Sequence, residues 1–248
     1  MAHHARTIHP RASRVRRWLS VIGAVALAAA LLAIADAPAA AEGPAPAALY
    51  YASPDGSDDP GATCGQVDDP CSLARALDVL VPGTVSTIYL VPARDGGSVF
   101  TTDVGWEVST AGDVAMEPLG AGTATLDGQG VAPHILEVFG GAGNSVNLRL
   151  RRIEISGSQV RSYDLGESSG GGIHVHDGAS LLASDCIFRN NAVRALVAGS
   201  GSAISYGGAI LNDGGLVGVE GCLFVGNDVT ATAISGSGLA WGGSITNI

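Results

Sequence analysis

The sequence predicts an all-β fold, a parallel β-helix solenoid with a short N-terminal capping helix. The first observation is a repeat in the last third of the chain, where Gly-Gly-x-Ile opens each unit and Cys-x-Phe-x-x-Asn closes it, at offsets of 35 to 37 residues. The second is composition, because residues 166–248 are rich in Gly, Ser, Ala, Val and Ile and poor in charged helix formers. That composition excludes helical repeats of the same period. Units of this length bury their apolar side only against their neighbours, so stacked coils are expected.

The repeat residues themselves are predicted to be structural. They are Gly170, Gly171, Ile173, Cys186, Phe188 and Asn191, then Gly207, Gly208, Ile210, Cys222, Phe224 and Asn227, and finally Gly242, Gly243 and Ile245. Stacking places the two Phe one above the other inside the coil, and burial of each contributes about 1.5 to 3 kcal/mol. The two Cys form a second internal ladder, and we expect both to be reduced, because side chains in register on parallel strands seldom turn toward each other. The two Asn fall at turns, where Asn tolerates the backbone and bonds to the next coil.

Each unit is predicted to hold three short strands and one loop. In the second unit the strands are residues 209–212, 216–219 and 222–224, and Asn-Asp-Gly-Gly and Glu-Gly mark the turns between them. Three such strands with tight turns need roughly 22 residues. The rest of the unit, residues 228–241, is therefore expected to protrude as a loop, as are residues 193–206 in the unit before.

The repeat resembles that of a known family. Gly-Gly-Ala-Ile at residues 207–210, followed by Phe-x-x-Asn at residues 224–227, is similar to the repeat of the chlamydial polymorphic outer membrane proteins. The resemblance covers residues 170–248 and departs from the family pattern at Gly172 and Ser244, where that pattern has Ala. It implies a right-handed parallel β-helix displayed at a cell surface. It implies no catalytic residue, since the motif contains none.

Residues 42–95 are predicted to cap the N-terminal end of the coil, and residues 96–248 to form its rungs. An amphipathic stripe predicts a helix in the cap, formed by Leu73, Ala76, Leu77 and Leu80. A polar-faced element of this kind closes the end of a solenoid. With residues 87–90, this stretch resembles the start of exported β-helix proteins of the pectin-lyase-like superfamily. Cys64 and Cys71 are predicted to form a disulfide, as expected in an exported protein.

The first 41 residues are predicted to be a secretory signal peptide. Five Arg precede an apolar run at residues 21–35, and small residues with an Ala-x-Ala site follow. Cleavage is predicted after Ala41, with Ala39 as the alternative. The apolar run is shorter than the roughly 20 residues that span a bilayer, so a retained N-terminal anchor is the less favoured reading. The residues after Arg16 and Arg17 fit twin-arginine export poorly, which favours general secretion.

The predicted mature chain is strongly acidic. Residues 42–248 carry eight Arg, no Lys and 22 acidic residues, a net charge of −14. That charge argues against nucleic acid and anionic lipid as partners. It is compatible with cations, basic surfaces and neutral glycans, and it also keeps an exported protein soluble. We expect a glycan or protein surface as partner, bound through the protruding loops, and membrane association only through a further C-terminal part.

Two places offer ligands for a metal ion. Asp55, Asp58 and Asp59 carry oxygen ligands in a Gly-containing loop, as Ca²⁺ prefers, although the twelve-residue loop spacing is absent and an Asp-rich turn is the alternative. Calcium is the one cofactor that the sequence suggests. His174 and His176 lie two residues apart on one predicted strand, both pointing outward, and Asp177 follows them.

Two outward His at this spacing can share a metal ion. The residues that the repeat matches to them in the next unit are Leu211 and Asn212, which are not ligands. A metal at the two His is therefore the less favoured reading.

Arg151 and Arg152 separate two strands of opposite phase and are predicted to mark a corner of the coil. A solvated corner is favoured, and the alternative is a base or a clamp for a substrate carboxylate, as in lyases that act on acidic polysaccharide. Asp68 and Asp69 precede the predicted helix and are expected to cap it rather than hydrolyse glycosides.

The sequence favours a non-catalytic binding module, secreted or displayed at the cell surface. The alternative is a polysaccharide lyase or hydrolase with a groove along the coil, which should show clustered Asp with an opposed basic residue, and no such cluster is visible in the sequence. The third Gly-Gly-x-Ile unit stops at Ile248. We therefore expect the coil to continue in a longer chain or to be completed by another chain.

Overall fold

The computed structural model describes residues 47–110, 112–140, 145–163, 167–198 and 201–248, so the predicted signal peptide and its cleavage site lie outside them. These residues form an all-β parallel solenoid with very little helix, as the repeat predicts. The first two strands pair with each other, and from the second strand onward consecutive strands lie in different sheets and pair with strands from neighbouring turns.

The elements of the first turns are β1 (Ala47–Ser57), α1 (Leu73–Asp78), β2 (Thr84–Leu90), β3 (Val99–Thr101), β4 (Trp106–Val108), β5 (Gly112–Pro118), β6 (Ala124–Asp127), β7 (Leu136–Val138), β8 (Val146–Arg151) and β9 (Ile153–Ser156). Those of the later turns are β10 (Gln159–Tyr163), β11 (Glu167–Ser169), β12 (Ile173–Val175), β13 (Ala179–Ser184), β14 (Ile187–Arg189), β15 (Ala192–Val197), β16 (Ala203–Tyr206), β17 (Ile210–Asn212), β18 (Leu216–Glu220), β19 (Leu223–Val225), β20 (Asp228–Ala233), β21 (Gly238–Trp241) and β22 (Ile245–Asn247).

Three long parallel sheets form the walls of the coil. Sheet A has six strands in the order β1-β2-β5-β8-β13-β18. Sheet B has five strands, β3-β6-β9-β14-β19, and sheet C has five, β4-β7-β12-β17-β22. Each turn passes through sheets A, B and C in that order.

The repeat motifs coincide with the stacking register. Ile173 pairs with Ile210, and Ile210 pairs with Ile245 in sheet C. Phe188 pairs with Phe224 in sheet B, and their rings stack with centroids 4.9 Å apart. The chain therefore places equivalent motif residues one above another. Cys186 and Cys222 are both free thiols, as predicted. Cys186 is buried, but Cys222 in the last turns is only half-buried, so the prediction that both are internal is wrong for Cys222.

The core lies between the three sheets and consists of alternate residues of each strand. In sheet B, Leu126, Ile155 and Phe188 form one column across three turns, and all three are buried. In sheet A, Met116 pairs with Leu150 in the same way. Burial of each such side chain contributes about 1.5 to 3 kcal/mol, so the columns supply much of the driving force for stacking.

Sharp corners separate the walls. Arg152 lies between sheets A and B with φ +53°, and Asp185 and Gly221 occupy the same corner on the next two turns with φ +53° and +63°. The predicted corner at the two Arg is therefore present. A second left-handed corner follows sheet B at Asn190 and Gly226, with φ +54° and +64°. The left-handed residue is Asn190, so the prediction that Asn191 adopts the turn backbone is wrong.

Asn191 and Asn227 form a ladder of side-chain hydrogen bonds along the coil. The amide of Asn191 donates to Ile155 O at 3.0 Å and to Asn227 Oδ1 at 3.1 Å, and its Oδ1 accepts from Ser158 N at 3.2 Å. Asn227 Nδ2 donates in turn to Phe188 O at 3.0 Å. The predicted bonding between turns is present, and these amide side chains provide it.

The segments predicted as protruding loops contain strands, so the loop prediction for residues 193–206 and 228–241 is wrong. Strands β10, β15 and β20 form one three-stranded parallel sheet, and β11, β16 and β21 form another. We call these six strands the side lobe. Its small core contains Ala195, Val197 and Ala203, separate from the main core. Each of the last three turns adds one strand to each lobe sheet, so stacking satisfies the backbone groups that a loop would leave to solvent.

The N-terminal region contains the predicted helix and disulfide. The α1 helix buries Leu73, Ala76 and Leu77. Its N-cap is Ser72, whose Oγ accepts from Arg75 N at 3.1 Å, so the prediction that Asp68 and Asp69 cap the helix is wrong. Ser has the short acceptor that this position favours. Cys64 and Cys71 are joined by a disulfide with Sγ atoms 2.06 Å apart.

Candidate metal centre

Four ionisable side chains meet on the outer face of sheet C, where β7 and β12 lie side by side. Glu137 of β7 pairs with His174 of β12, and His176 follows two residues later. Val138, which follows Glu137, and Val175, which lies between the two His, are fully buried in the core. Because side chains alternate along a strand, Glu137, His174 and His176 point away from that core.

The fourth side chain, His134, reaches the same place from the turn before β7. Gly170, the first glycine of the repeat motif, lies against its ring. Gly170 has φ +100°, and a Cβ at this position would overlap the imidazole of His134. An L side chain is therefore excluded by the backbone conformation and by the ring. The motif glycine thus allows His134 to lie near His174, with ring centroids 5.4 Å apart.

Three imidazole nitrogens surround one oxygen of Glu137. Its Oε1 lies 3.6 Å from His134 Nε2, 3.8 Å from His174 Nδ1 and 3.6 Å from His176 Nε2. All three distances are longer than a hydrogen bond. The side chain of His174 is 11% exposed and that of Glu137 is 33% exposed, so the carboxylate is the more open part of the cluster.

Burial disfavours the charged form of two of the imidazoles. Burial, together with the neighbouring His176 and His134, lowers the pKa of His174 to about 3. Burial also lowers the pKa of His134, although the Glu137 carboxylate opposes this effect. His134 Nδ1, His174 Nε2 and His176 Nε2 are buried and have no hydrogen-bond partner. Neutral imidazole is the form that binds metal ions, and of these three unpaired atoms only His176 Nε2 is the nitrogen of its ring that lies nearest Glu137 Oε1.

A second set of ligand atoms adjoins the first. The carboxylate of Asp213, which follows β17, converges with ligand atoms of His174 and His176. The sequence repeat matched Asn212 to His176, but the register places Asp213 there. The expectation that the next turn offers no ligand is therefore wrong. The ring of His176 is stacked on that of Phe139, with centroids 4.0 Å apart.

Sequence reasoning found two members of the cluster, His174 and His176, and missed His134 and Glu137. The turn that holds the missed residues lacks the Gly-Gly-x-Ile motif, so the repeat did not align it. One signal was present, because Glu137 precedes His174 by 37 residues, the same interval that separates Ile173 from Ile210.

The structure does not bring together the three carboxylates that suggested calcium. Asp55 Oδ1 accepts from Ser53 Oγ at 2.6 Å, which is the main reason that the pKa of Asp55 is lowered. Asp59 Oδ1 accepts from Gly61 N at 2.8 Å, and Asp58 Oδ1 accepts from the Ser72 hydroxyl. Among the described residues, the ligand sets that converge are the two that contain His174, and neither includes Asp177.

The two corner arginines have partners within the chain. Arg151 Nη1 lies 3.6 Å from Glu117 Oε2, and the side chain of Arg151 is 61% exposed. Arg152 Nη1 donates to Gly120 O at 2.6 Å. These contacts agree with a solvated corner, since a substrate clamp needs guanidinium donors free for the ligand.

The side lobe carries a second exposed feature, an apolar and aromatic outer face. Ile204 pairs with Leu239, and Tyr206 pairs with Trp241, between β16 and β21. The Tyr206 and Trp241 rings meet edge to face with centroids 5.2 Å apart. Leu239 is 43% exposed and Trp241 is 50% exposed. We call these four residues the lobe face.

No helix within the described ranges combines the length and the apolar character that crossing a bilayer requires. Comparisons of the chain with protein-family models, with curated proteins and with solved structures found no match.

Proposed function

We propose that this chain is an exported, non-catalytic binding module that holds a neutral glycan at the cell surface or in the medium. In this proposal residues 1–41 are a cleaved signal peptide, residues 42–95 cap the coil and residues 96–248 form its rungs. The coil is right-handed. The resemblance of the repeat to chlamydial polymorphic outer membrane proteins, and of the N-terminal stretch to the pectin-lyase-like superfamily, supports the handedness and the location.

The observation that carries the proposal is the lobe face. Stacking of β16 on β21 presents Tyr206 and Trp241 side by side, with Ile204 and Leu239 in the next outward column. Exposed apolar groups in one contiguous patch mark a binding surface. Tyr and Trp also dominate binding energy where a partner covers them.

The chemistry of this face fits a neutral sugar. Aromatic side chains offer a flat apolar surface together with a polar edge, which suits a ligand that has both C–H and hydroxyl groups. Ser169 lies one turn before Tyr206 in the same column and adds a hydroxyl. The charge of −14 on residues 42–248 opposes acidic glycans, nucleic acid and anionic membranes.

The alternative is a lyase or hydrolase that acts on polysaccharide. It requires a base and clustered carboxylates along one groove. The carboxylates nearest the corner arginines are engaged in ion pairs, Glu117 with Arg151 at 3.6 Å and Asp113 with Arg149 at 4.0 Å. Non-catalytic binding is therefore the better account of this face of the coil.

Affinity electrophoresis through a panel of neutral polysaccharides tests the proposal. The purified protein should be retarded by at least one of them, and Trp241→Ala and Tyr206→Ala should each weaken the interaction roughly tenfold or more. The matched control is Tyr89→Ala, because Tyr89 stacks on Tyr51 at 5.7 Å on sheet A, away from the lobe strands. That variant should bind like the wild type.

Three results would contradict the proposal. Retardation that survives both lobe substitutions would place the binding surface elsewhere. Binding to a protein ligand with no retardation by any glycan would replace the glycan by a protein partner. Release of reducing or unsaturated sugar ends from any polysaccharide would establish the enzymatic alternative.

A further inference from the structure

We propose that His134, Glu137 and His174 hold one divalent transition-metal ion, for which zinc suits the donor set best. This site goes beyond glycan binding and does not depend on it. Two imidazole nitrogens and one carboxylate oxygen are a common protein ligand set for zinc, and three protein ligands leave a fourth position open.

The spacing of the ligand atoms supports a shared ion. Bonds of about 2.0 to 2.2 Å at tetrahedral angles place neighbouring ligand atoms roughly 3.3 to 3.6 Å apart. Glu137 Oε1 lies 3.6 Å from His134 Nε2 and 3.8 Å from His174 Nδ1. These separations are too long for hydrogen bonds and only a few tenths of an ångström longer than two ligands of one ion require. Each of the three residues also has a ligand atom within 4.8 Å of one on each of the other two.

His176 supplies a second argument. A buried polar atom without a hydrogen-bond partner is costly, and His176 Nε2 is such an atom, 3.6 Å from Glu137 Oε1. A metal ion beside Glu137 Oε1 would give His176 Nε2 a partner and would balance the negative charge of the carboxylate.

The identity of the ligands selects the class of ion. Calcium and magnesium prefer oxygen ligands, and imidazole suits zinc, copper and nickel. Because the Glu137 side chain is 33% exposed, a hydrated ion can enter beside the carboxylate. His176 Nε2 lies 3.6 Å from the same carboxylate oxygen and is placed to fill or flank the fourth position.

The ion would join two consecutive turns of the solenoid. His134 and Glu137 belong to the turn that contains β7, and His174 belongs to the turn that contains β12. An ion that binds the folded state alone raises the unfolding temperature in proportion to the logarithm of its concentration. Zinc should therefore stabilise the protein, and the same concentrations of calcium or magnesium should not do so through this cluster.

The test is a titration of chelator-treated protein with zinc sulfate, followed by calorimetry and by the unfolding temperature. The wild type should bind zinc saturably. Glu137→Gln, which keeps the shape of the side chain, and His174→Leu should each lower the zinc affinity at least tenfold and remove the rise in unfolding temperature. Leu is suited to position 174 because Leu211 occupies the same column one turn later.

Glu107→Gln is the matched control. Glu107 pairs with Glu137 from the turn before, on the side away from His174, so the substitution removes the same charge from the same column without removing a proposed ligand. This variant should bind zinc like the wild type. His3, His4 and His9 lie within residues 1–41 and are the same in every variant whether or not that segment is removed, so differences between variants report the cluster alone.

The proposal fails if the wild type shows no saturable zinc binding. It also fails if Glu137→Gln and His174→Leu bind zinc within twofold of the wild type, or if Glu107→Gln loses as much affinity as they do. Circular dichroism establishes that each variant is folded. If His174→Leu does not fold, the isosteric Glu137→Gln decides the result.

Discussion

Asn191 connects three consecutive turns of the solenoid through one amide side chain. It is fully buried, it bonds to Ile155 O and Ser158 N in the turn before, and it bonds to Asn227 in the turn after. Because its partners are themselves buried or half-buried, water cannot replace the amide. The sequence repeat predicts that Asn recurs here, but it does not predict which atoms the amide satisfies.

Replacement of Asn191 by Ala should lower the free energy of unfolding by about 2 to 4 kcal/mol, because it leaves Ser158 N and Ile155 O without their partner. Urea unfolding followed by circular dichroism measures the change. The control is Asn190→Gly at the adjacent exposed position, where φ is +54° and glycine is tolerated. It should change the stability by about 0.5 kcal/mol or less. Equal stability of Asn191→Ala and the wild type would contradict the ladder.

The two free thiols should react very differently. Burial raises the pKa of the Cys186 thiol to about 12, so almost no thiolate exists at pH 8, whereas Cys222 is half-buried. A thiol reagent at pH 8 should label Cys222 first, and Cys186 only after denaturation. Fast labelling of both thiols in the native protein, or of neither after denaturation, would contradict this arrangement.

The same raised pKa links stability to pH. The unfolded Cys186 ionises near its ordinary pKa of about 9 while the folded thiol stays protonated. The stability that the protonated Cys186 thiol contributes is therefore fully present below pH 9. It is lost as the pH rises toward about 12, the pKa of this thiol in the folded protein.

At the scale of the element, the side lobe is the main departure from expectation. Its strands show the alternation of a half-buried strand, with Val193, Ala195 and Val197 buried and Arg194 and Leu196 exposed. That period is visible in the sequence. The loop prediction rested instead on counting the residues left over after three strands, and this count cannot detect that a fourth and a fifth strand stack from turn to turn.

Ala195→Asp should unfold the lobe and leave the coil intact. A carboxylate in the small alanine core would lose its hydration without gaining a partner, and the lobe core is separate from the main core. Hydrogen exchange should show protected amides in β15 of the wild type, and loss of that protection in the variant, while β13 and β14 remain protected.

The control for this experiment is Leu196→Asp, at the neighbouring exposed position of the same strand. It should retain protection throughout. Unprotected β15 amides in the wild type would contradict the lobe, and loss of protection in β13 and β14 of Ala195→Asp would contradict its independence from the coil.

At the scale of the whole molecule, the periodic part of the chain could be predicted from sequence and the irregular part could not. The stacked Ile and Phe of the last three turns follow from the motif spacing. The first turns lack both the motif and the lobe strands, and so the motif did not align Glu137 with His174. The candidate site depends on that alignment, which the register of sheet C shows.

Export of the chain is a further prediction at this scale. Residues 1–41, fused to a reporter that is active only after crossing the membrane, should give active and processed reporter. Replacement of Leu31 and Leu32 by Arg within the apolar run should abolish that activity, since a charged segment does not enter the export machinery as a hydrophobic core does. Equal activity of the two fusions would contradict the signal peptide.

The proposed zinc site requires that Glu137 and His174 are neighbours across β7 and β12. Anomalous diffraction above the zinc absorption edge, from crystals grown with zinc, tests that adjacency most directly. We expect a peak at bonding distance, about 2.0 to 2.2 Å, from Glu137, His134 and His174. A refined chain in which Glu137 and His174 are not neighbours, or a zinc peak bound only elsewhere, would contradict the account.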